Sequence, residues 1–303
     1  VVAYGKTLRK IRKQKGITLK ELADGICSIS FLSKFERTDS DITLGLMTSV
    51  LEKLMLSFDE FLYIHHDFQP NKLEQFFKSV NTAYMNRNAK LLKELKNEEM
   101  KKWKRYGVET YHWNALMIMM LGQIVDEQFI DEDFEENDIR LLSDYLFRVE
   151  VWGYYELALY NGTLLLLETD MVIMLSRTAY QKSNRFKDFN KVKDAITTVL
   201  FNTIIYLLGP VNRFHEEFTY QKEIGEFISY LENLALSEEN LLERVHLLQL
   251  KGVYDIRTGN KEEGVVKINH SIQILKDLQS TKMANNFEQY LQQILSYLKN
   301  TQL

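Results

Sequence analysis

Apolar positions recur at helical spacing from one end of the chain to the other. Leu8 and Ile11 lie three apart within Gly5–Lys15, bases fill the other faces, and Gly16 ends the run. Thr18 opens a second helix with Glu21 at capping-box spacing, and Leu19, Leu22 and Ala23 supply its buried side. Gly25 permits the next turn. A third helix begins near Ser28 and runs to Arg37, with Leu32 and Phe35 facing the core. Thr43 caps a fourth, whose core stripe is Leu46, Met47, Val50, Leu51 and Leu54, and Ser57–Leu62 opens a fifth.

Residues 1–66 therefore form a five-helix domain, and Asp67–Asn71 reads as the hinge. Pro70 disfavours helix at the residue before it, and Asn71 can cap the next helix. Residues 72–303 read as successive helices with breaks near Asn86–Asn88, Gly107, Asp131–Glu136, Asn161–Thr163, Ser183–Asp188, Gly209-Pro210, Ser237 and Gly259-Asn260. The pairs recur at about 35–45 residues, the period of helical solenoids. Gly252, Gly259, Gly264, Ile268 and Ser271 fall at the small and apolar positions of a tetratricopeptide repeat. With only 2 prolines and 13 glycines in 303 residues, and no alternating Val/Ile/Thr runs, the class is all-α: a helical head and a tetratricopeptide-like, right-handed helical repeat domain.

Charge separates the two parts. Residues 1–38 hold nine bases and three acids, a balance of +6, whereas the whole chain is −4, so the remainder carries −10. A basic head on an acidic body suits a module for a polyanion joined to one that does not touch it.

Order within the head narrows the polyanion to duplex DNA. Two short helices joined by a tight turn, the second rich in small polar residues, form a helix-turn-helix whose second helix enters the major groove. Ser28, Ser33 and Lys34 fit the outward face of that helix, and Arg37 extends it. Lys6, Lys10, Lys13 and Lys20 are candidate phosphate contacts, which give affinity and register without sequence information. Residues 5–62 resemble the Xre-type helix-turn-helix of phage-repressor-like proteins. The resemblance rests on Leu8-Arg9-Lys10-Ile11-Arg12, Gly16-Ile17-Thr18, Glu21-Leu22-Ala23 and Leu32-Ser33-Lys34-Phe35-Glu36-Arg37. It implies that Arg12 pairs with Glu36 and locks the first helix on the third, with an accessory phosphate role for Arg12. The chain departs from that pattern at Leu19 and Ile29, where glutamines often read bases, and at Thr38, where Gly is usual.

A solenoid presents a concave groove lined by one helix of each pair. Asn81, Arg148, Asn161 and Asn202 are candidates to hydrogen-bond an extended peptide there, with Trp152, Tyr155 and Tyr206 as apolar walls. Helix capping and core filling are the structural alternatives for each; Asn161-Gly162 also reads as a helix C-terminus, and Arg148 can pair with Asp144. The segment Asp144-Tyr145-Leu146-Phe147-Arg148-Val149-Glu150-Val151-Trp152-Gly153-Tyr154-Tyr155-Glu156-Leu157 resembles the central signature of the Rgg/GadR/MutR-type regulators. That resemblance implies a homodimeric transcription factor that binds a short imported peptide pheromone, as in quorum sensing. Two heads on a two-fold axis would read an inverted-repeat promoter site. A second reading keeps the DNA head and gives the body a protein partner instead of a peptide.

Chemistry beyond binding is not in view. The sequence has no Gly-rich phosphate loop, Gly-x-Ser-x-Gly elbow or His-Glu-x-x-His helix, so neither an enzyme nor a cofactor or metal is expected. His65-His66-Asp67 reads as hinge surface, Asp131-Glu132-Asp133 with Glu135-Glu136 as a solvated loop, and Cys27 as a small buried hydrophobe. Leu164–Leu167 meets Glu168 and Asp170 too soon to span a bilayer, and Val1–Lys6 lacks a signal-like apolar run. A single cysteine suits a reducing compartment, so the expected location is the cytoplasm. If Lys10 holds a phosphate, Lys10→Ala lowers affinity for all duplexes alike and reduces the salt slope by about one. Anisotropy titrations at several salt concentrations measure this, and an unchanged slope removes Lys10 from the interface.

Overall fold

The computed structural model describes residues 3–38, 40–126, 129, 134, 136–234 and 238–300, and every regular element among them is helical. The acidic loop at 131–133 and 135, and the break at Ser237, lie outside the described residues. Contacts divide the chain into two units, Val1–Thr82 and Ala83–Leu303. The division falls inside the sixth helix, beyond the 67–71 segment that the sequence marks as a hinge.

The first unit holds α1 (Tyr4–Gln14), α2 (Leu19–Ala23), α3 (Ile29–Arg37), α4 (Leu44–Lys53), α5 (Phe58–His65) and most of α6 (Lys72–Met85). Five of these starts have the polar cap that the sequence assigns them, that of α6 being Asn71, which accepts from Glu74 N–H. Thr18 and Glu21 form a reciprocal capping box, as do Ser57 and Glu60, and Ser28 and Thr43 accept from Phe31 and Leu46 N–H. Gly16, at φ +70°, lets the chain turn from α1 into α2. Leu8, Leu22, Leu32, Phe35, Val50, Leu51, Leu54 and Phe61 are buried together, whereas Leu46, expected in that stripe, is half-buried. Cys27 packs against the same core, and burial pushes its thiol pKa up, away from reactivity.

His65 corrects the reading of 65–67 as hinge surface. It is buried, stacks on Tyr4 with ring centres 4.2 Å apart, and meets Thr7 Oγ1 at 3.0 Å through Nδ1. The cause is register: position 65 completes the inner face of α5 after Phe61, one turn earlier.

The second unit comprises α7 (Ala89–Tyr106), α8 (Glu109–Val125), α9 (Glu136–Arg148), α10 (Tyr154–Thr163), α11 (Thr169–Ser183), α12 (Asn190–Leu208), α13 (Gln221–Asn233), α14 (Leu241–Arg257), α15 (Lys261–Asp277) and α16 (Thr281–Asn300). Neighbours in sequence pack in space, most closely α7 on α8 and α14 on α15. Gly252 and Gly264 explain the second pair. A Cβ on Gly252 would stand 2.6 Å from the Gly264 carbonyl oxygen, and one on Gly264 would stand 2.4 Å from that of Gly252. The small positions of the repeat pattern are thus where two backbones touch. Gly162 is similar: a Cβ there would meet Met117 Sδ at 2.6 Å. It lies in the last turn of α10, which ends at Thr163 and runs on into a 3-10 turn, so Asn161 and Gly162 are helical residues at a helix C-terminus.

α12 is the hub, packing against α10, α11, α13 and α14. Its inner face is apolar except for Thr197 and Thr203. Thr203 Oγ1 lies 2.7 Å from Ser176 Oγ, which in turn lies 2.7 Å from the buried Tyr160 hydroxyl. Tyr160 donates to the Val172 carbonyl at 2.9 Å, so three helices share one satisfied polar chain.

The head makes the sharpest demand on a glycine. A Cβ on Gly5 would stand 1.8 Å from the Phe35 carbonyl oxygen, which fixes how closely α1 lies on α3. Gly5→Ala is expected to destabilise the head by at least about 1–3 kcal/mol, because backbone rather than a side-chain tip must move. Thermal unfolding followed by circular dichroism tests it; a variant melting like the parent would show that α1 can shift without cost.

Candidate nucleic-acid interface and ligand face

On α3, Leu32, Phe35 and Glu36 are buried, and Ile29, Ser30, Lys34 and Arg37 are exposed with Ser33 half-buried. At 100° per residue the outward set occupies one continuous arc, opposite the core. Ser28 is spent on structure: its Oγ accepts from Phe31 N–H at 3.1 Å and lies 3.1 Å from Ser30 Oγ. Arg37 Nε donates to the Ser33 carbonyl at 3.2 Å, which holds the rest of its guanidinium outward at the end of α3. Lys6, Lys10 and Lys13 form one exposed stripe along α1, and Lys20 is exposed on α2. Ser30 joins the outward arc although the sequence reading leaves it out, and so does Ile29, which the resemblance sets at a position where glutamines often read bases. A signal for them exists, since both share the helical register of Ser33 and Lys34.

Arg12 departs from the phosphate role. Its side chain is 7% exposed and Glu36 only 2%. Arg12 Nε and Nη2 donate to Glu36 Oε1 and Oε2 at 2.6 and 2.7 Å, and Nη1 donates to the Ile17 carbonyl at 2.7 Å. The Glu36 hydrogen bonds raise the guanidinium's pKa. Three of the guanidinium's five N–H donors are thus spent inside the head, and little of the side chain is left to solvent.

In the second unit the expected peptide contacts scatter. Asn202 and Asn161 do come together: Asn202 Nδ2 donates to Asn161 Oδ1 at 2.8 Å across α12 and α10. Both are half-buried, and Asn202 Oδ1 and Asn161 Nδ2 make no further hydrogen bond among the described residues. Tyr206, one turn along α12, lies 3.2 Å from both Thr169 Oγ1 and the Leu167 carbonyl through its hydroxyl. One turn the other way, Thr198 borders a hollow between α12, α14 and α16, also lined by Asp194, Phe201, Glu243, His246 and Met283. Phe201 and His246 stack there at 4.6 Å, and burial lowers the His246 pKa.

Trp152 is not a groove wall. It is fully buried, and its Nε1 donates to the Leu146 carbonyl at 3.0 Å. The signature segment around it is a locked connector. Lys182 Nζ donates to the Phe147 and Val149 carbonyls at 2.5 Å each, Gly153 N–H donates to Glu156, and Tyr145 donates to Glu156 at 3.2 Å. A cation on the carbonyls at the end of α9 completes a helix terminus that has no donors of its own. Tyr155 is half-buried, with its hydroxyl 3.1 Å from both the Thr110 carbonyl and Asn114 Oδ1. Burial pushes its pKa well up. Arg148 is exposed at the end of α9 without an ion pair to Asp144. Asn81 is exposed on α6 and falls in the first unit, whereas Asn161 and Asn202 belong to the second.

Residues 92–289 match the family described as HTH-type transcriptional regulator Rgg, C-terminal domain. The chain belongs to the Rgg family. Residues 8–61 of this Rgg-family chain also match the helix-turn-helix family. The fold is shared with the Streptococcus dysgalactiae SHP pheromone receptor Rgg2: TM-score 0.77, 24% identity, covering 96% of this chain and 99% of that one. A protein of Listeria monocytogenes EGD-e matches with TM-score 0.84 at 18% identity, over 99% and 98% of the two chains. PrgX in its complex with cCF10 matches with TM-score 0.71 at 16% identity, over 96% and 99%. Among the described residues no helix is long and apolar enough to cross a membrane.

Because Arg12 is internal, Arg12→Ala should cost about 3–5 kcal/mol by stranding Glu36, and the apolar pair Arg12→Met with Glu36→Leu should recover most of it. Urea unfolding of the three proteins measures this. A single variant as stable as the parent, but with weakened DNA binding, would make Arg12 a contact after all.

Proposed function

We propose that this Rgg-family regulator acts in the cytoplasm as a homodimer on an inverted-repeat promoter site, with its helical repeat domain binding a short imported peptide pheromone. The α3 arc reads base edges, while Lys6, Lys10, Lys13 and Lys20 hold phosphates. The peptide shifts an existing equilibrium in the placement of the two heads, as in quorum sensing.

The observation that carries the peptide reading is the Asn161–Asn202 pair. One amide bond is made between the two side chains, leaving one free carbonyl oxygen and one free NH2 on neighbouring helices. That is the complement of a peptide unit, and it recognises main chain without regard to side chain. The family relation and the pheromone-receptor neighbours support the same ligand class. Tyr206 lies beside the pair and is retained as a wall; Arg148, exposed at the end of α9, is retained as a contact for a peptide carboxylate.

Fluorescence-polarisation titration with labelled short apolar peptides encoded beside the gene tests this. Asn202→Ala should weaken binding about three- to tenfold, the worth of one or two hydrogen bonds, with peptide-free DNA affinity unchanged. Undiminished peptide affinity in an Asn161→Ala/Asn202→Ala double variant would remove the site. Failure of every such peptide to bind, with capture of a protein instead, would favour a protein partner.

A further inference from the structure

Ile29 stands out on the face that the proposed function gives to DNA. It is the first residue of α3 and is 48% exposed, while the helix's other large apolar side chains, Phe31, Leu32 and Phe35, are half-buried or buried. Its neighbours on the arc are Ser30, Ser33, Lys34 and Arg37. The hydroxyls of Ser28 and Ser30 face each other at 3.1 Å, and Ser28 also caps the helix. The first turn thus presents an exposed branched hydrocarbon beside two hydroxyls that are engaged with each other.

The N-terminal turn of a helix lying in the major groove is the part that comes nearest the base edges. Those edges are donors and acceptors with one apolar exception, the C5-methyl of thymine. An isoleucine pressed on the N4 amine of cytosine or the N6 amine of adenine would take water from a donor and return no acceptor. Pressed on a thymine methyl, it buries hydrocarbon on hydrocarbon. We infer that Ile29 is a specificity-determining side chain that packs on the C5-methyl of a thymine in each half-site. The inference rests on α3 being the reading helix.

Duplexes selected from a random pool by the full chain supply the test. Each thymine of the selected motif is replaced singly by deoxyuridine, which lacks only the methyl, and affinity is measured by anisotropy at fixed salt. One replacement per half-site should weaken binding about fourfold, the worth of one buried methyl group. Ile29→Ala should bind the thymine and uracil duplexes alike, whereas Ile29→Val should keep most of the penalty. Ile29→Gln should move the preference at that base pair toward adenine, which a glutamine amide can grip by two bonds. The inference is overturned if no thymine-to-uracil change weakens binding, or if the penalty survives intact in Ile29→Ala. Lys34→Ala separates the two levels. Relaxed selectivity in Lys34→Ala without any methyl effect leaves α3 as the reader and removes Ile29; unchanged selectivity in both variants removes α3 itself.

Discussion

The head depends on an ion pair that is almost wholly withdrawn from water. A guanidinium and a carboxylate taken out of solvent must find each other with near-ideal geometry, and Arg12 and Glu36 do so through two parallel hydrogen bonds, with the Ile17 carbonyl taking a third. The pair ties the last turn of α1 to the last turn of α3, and the contact of Gly5 with the Phe35 carbonyl sets their spacing. With Leu32, Phe35 and Glu36 turned inward, Ile29, Ser30, Ser33, Lys34 and Arg37 have only the outward direction left. The reading face is a consequence of what the core requires on the other side of the same helix.

The second unit solves a different problem, the joining of many helices with short connectors whose backbone groups must be satisfied. Lys182 on the carbonyls after α9, Trp152 on Leu146 and Glu156 on Gly153 hold the α9–α10 connector. The Tyr160–Ser176–Thr203 chain joins α10, α11 and α12. Once those polar groups are internal, the half-buried Asn161 and Asn202 are conspicuous, because their pairing leaves a donor and an acceptor unused. The signature stretch that marks the family is thus mostly architecture; the residues fit for a ligand lie beside it.

The head is legible in the sequence because its signals are local. Thr18, Ser28, Thr43 and Ser57 cap the helices that their positions predict, and apolar spacing locates the inner face of each. The Arg12–Glu36 pair comes from resemblance and not from spacing, since no periodicity joins positions so far apart in the chain. The resemblance sets Ile29 at a base-reading position, but its exposure depends on the packing of α3 against the core. In the body, periodicity gives the helix pairs, and Gly252 with Gly264 marks one of the closest. It does not say which asparagine faces which, nor that Trp152 is buried and Asn81 belongs with the head. Those facts depend on contacts between helices far apart in sequence. His65 is misread from sequence because neighbouring polar residues conceal the turn of α5 on which it lies.

The most direct measurement is a crystal structure of the full chain on a duplex that it selects. The account requires α3 to lie in the major groove with Ile29, Ser30, Ser33 and Lys34 against the base edges, Lys6, Lys10 and Lys13 along the phosphates, and Arg12 still bound to Glu36 inside the head. An α3 held away from the groove, or an Arg12 released from Glu36 onto a phosphate, would contradict it.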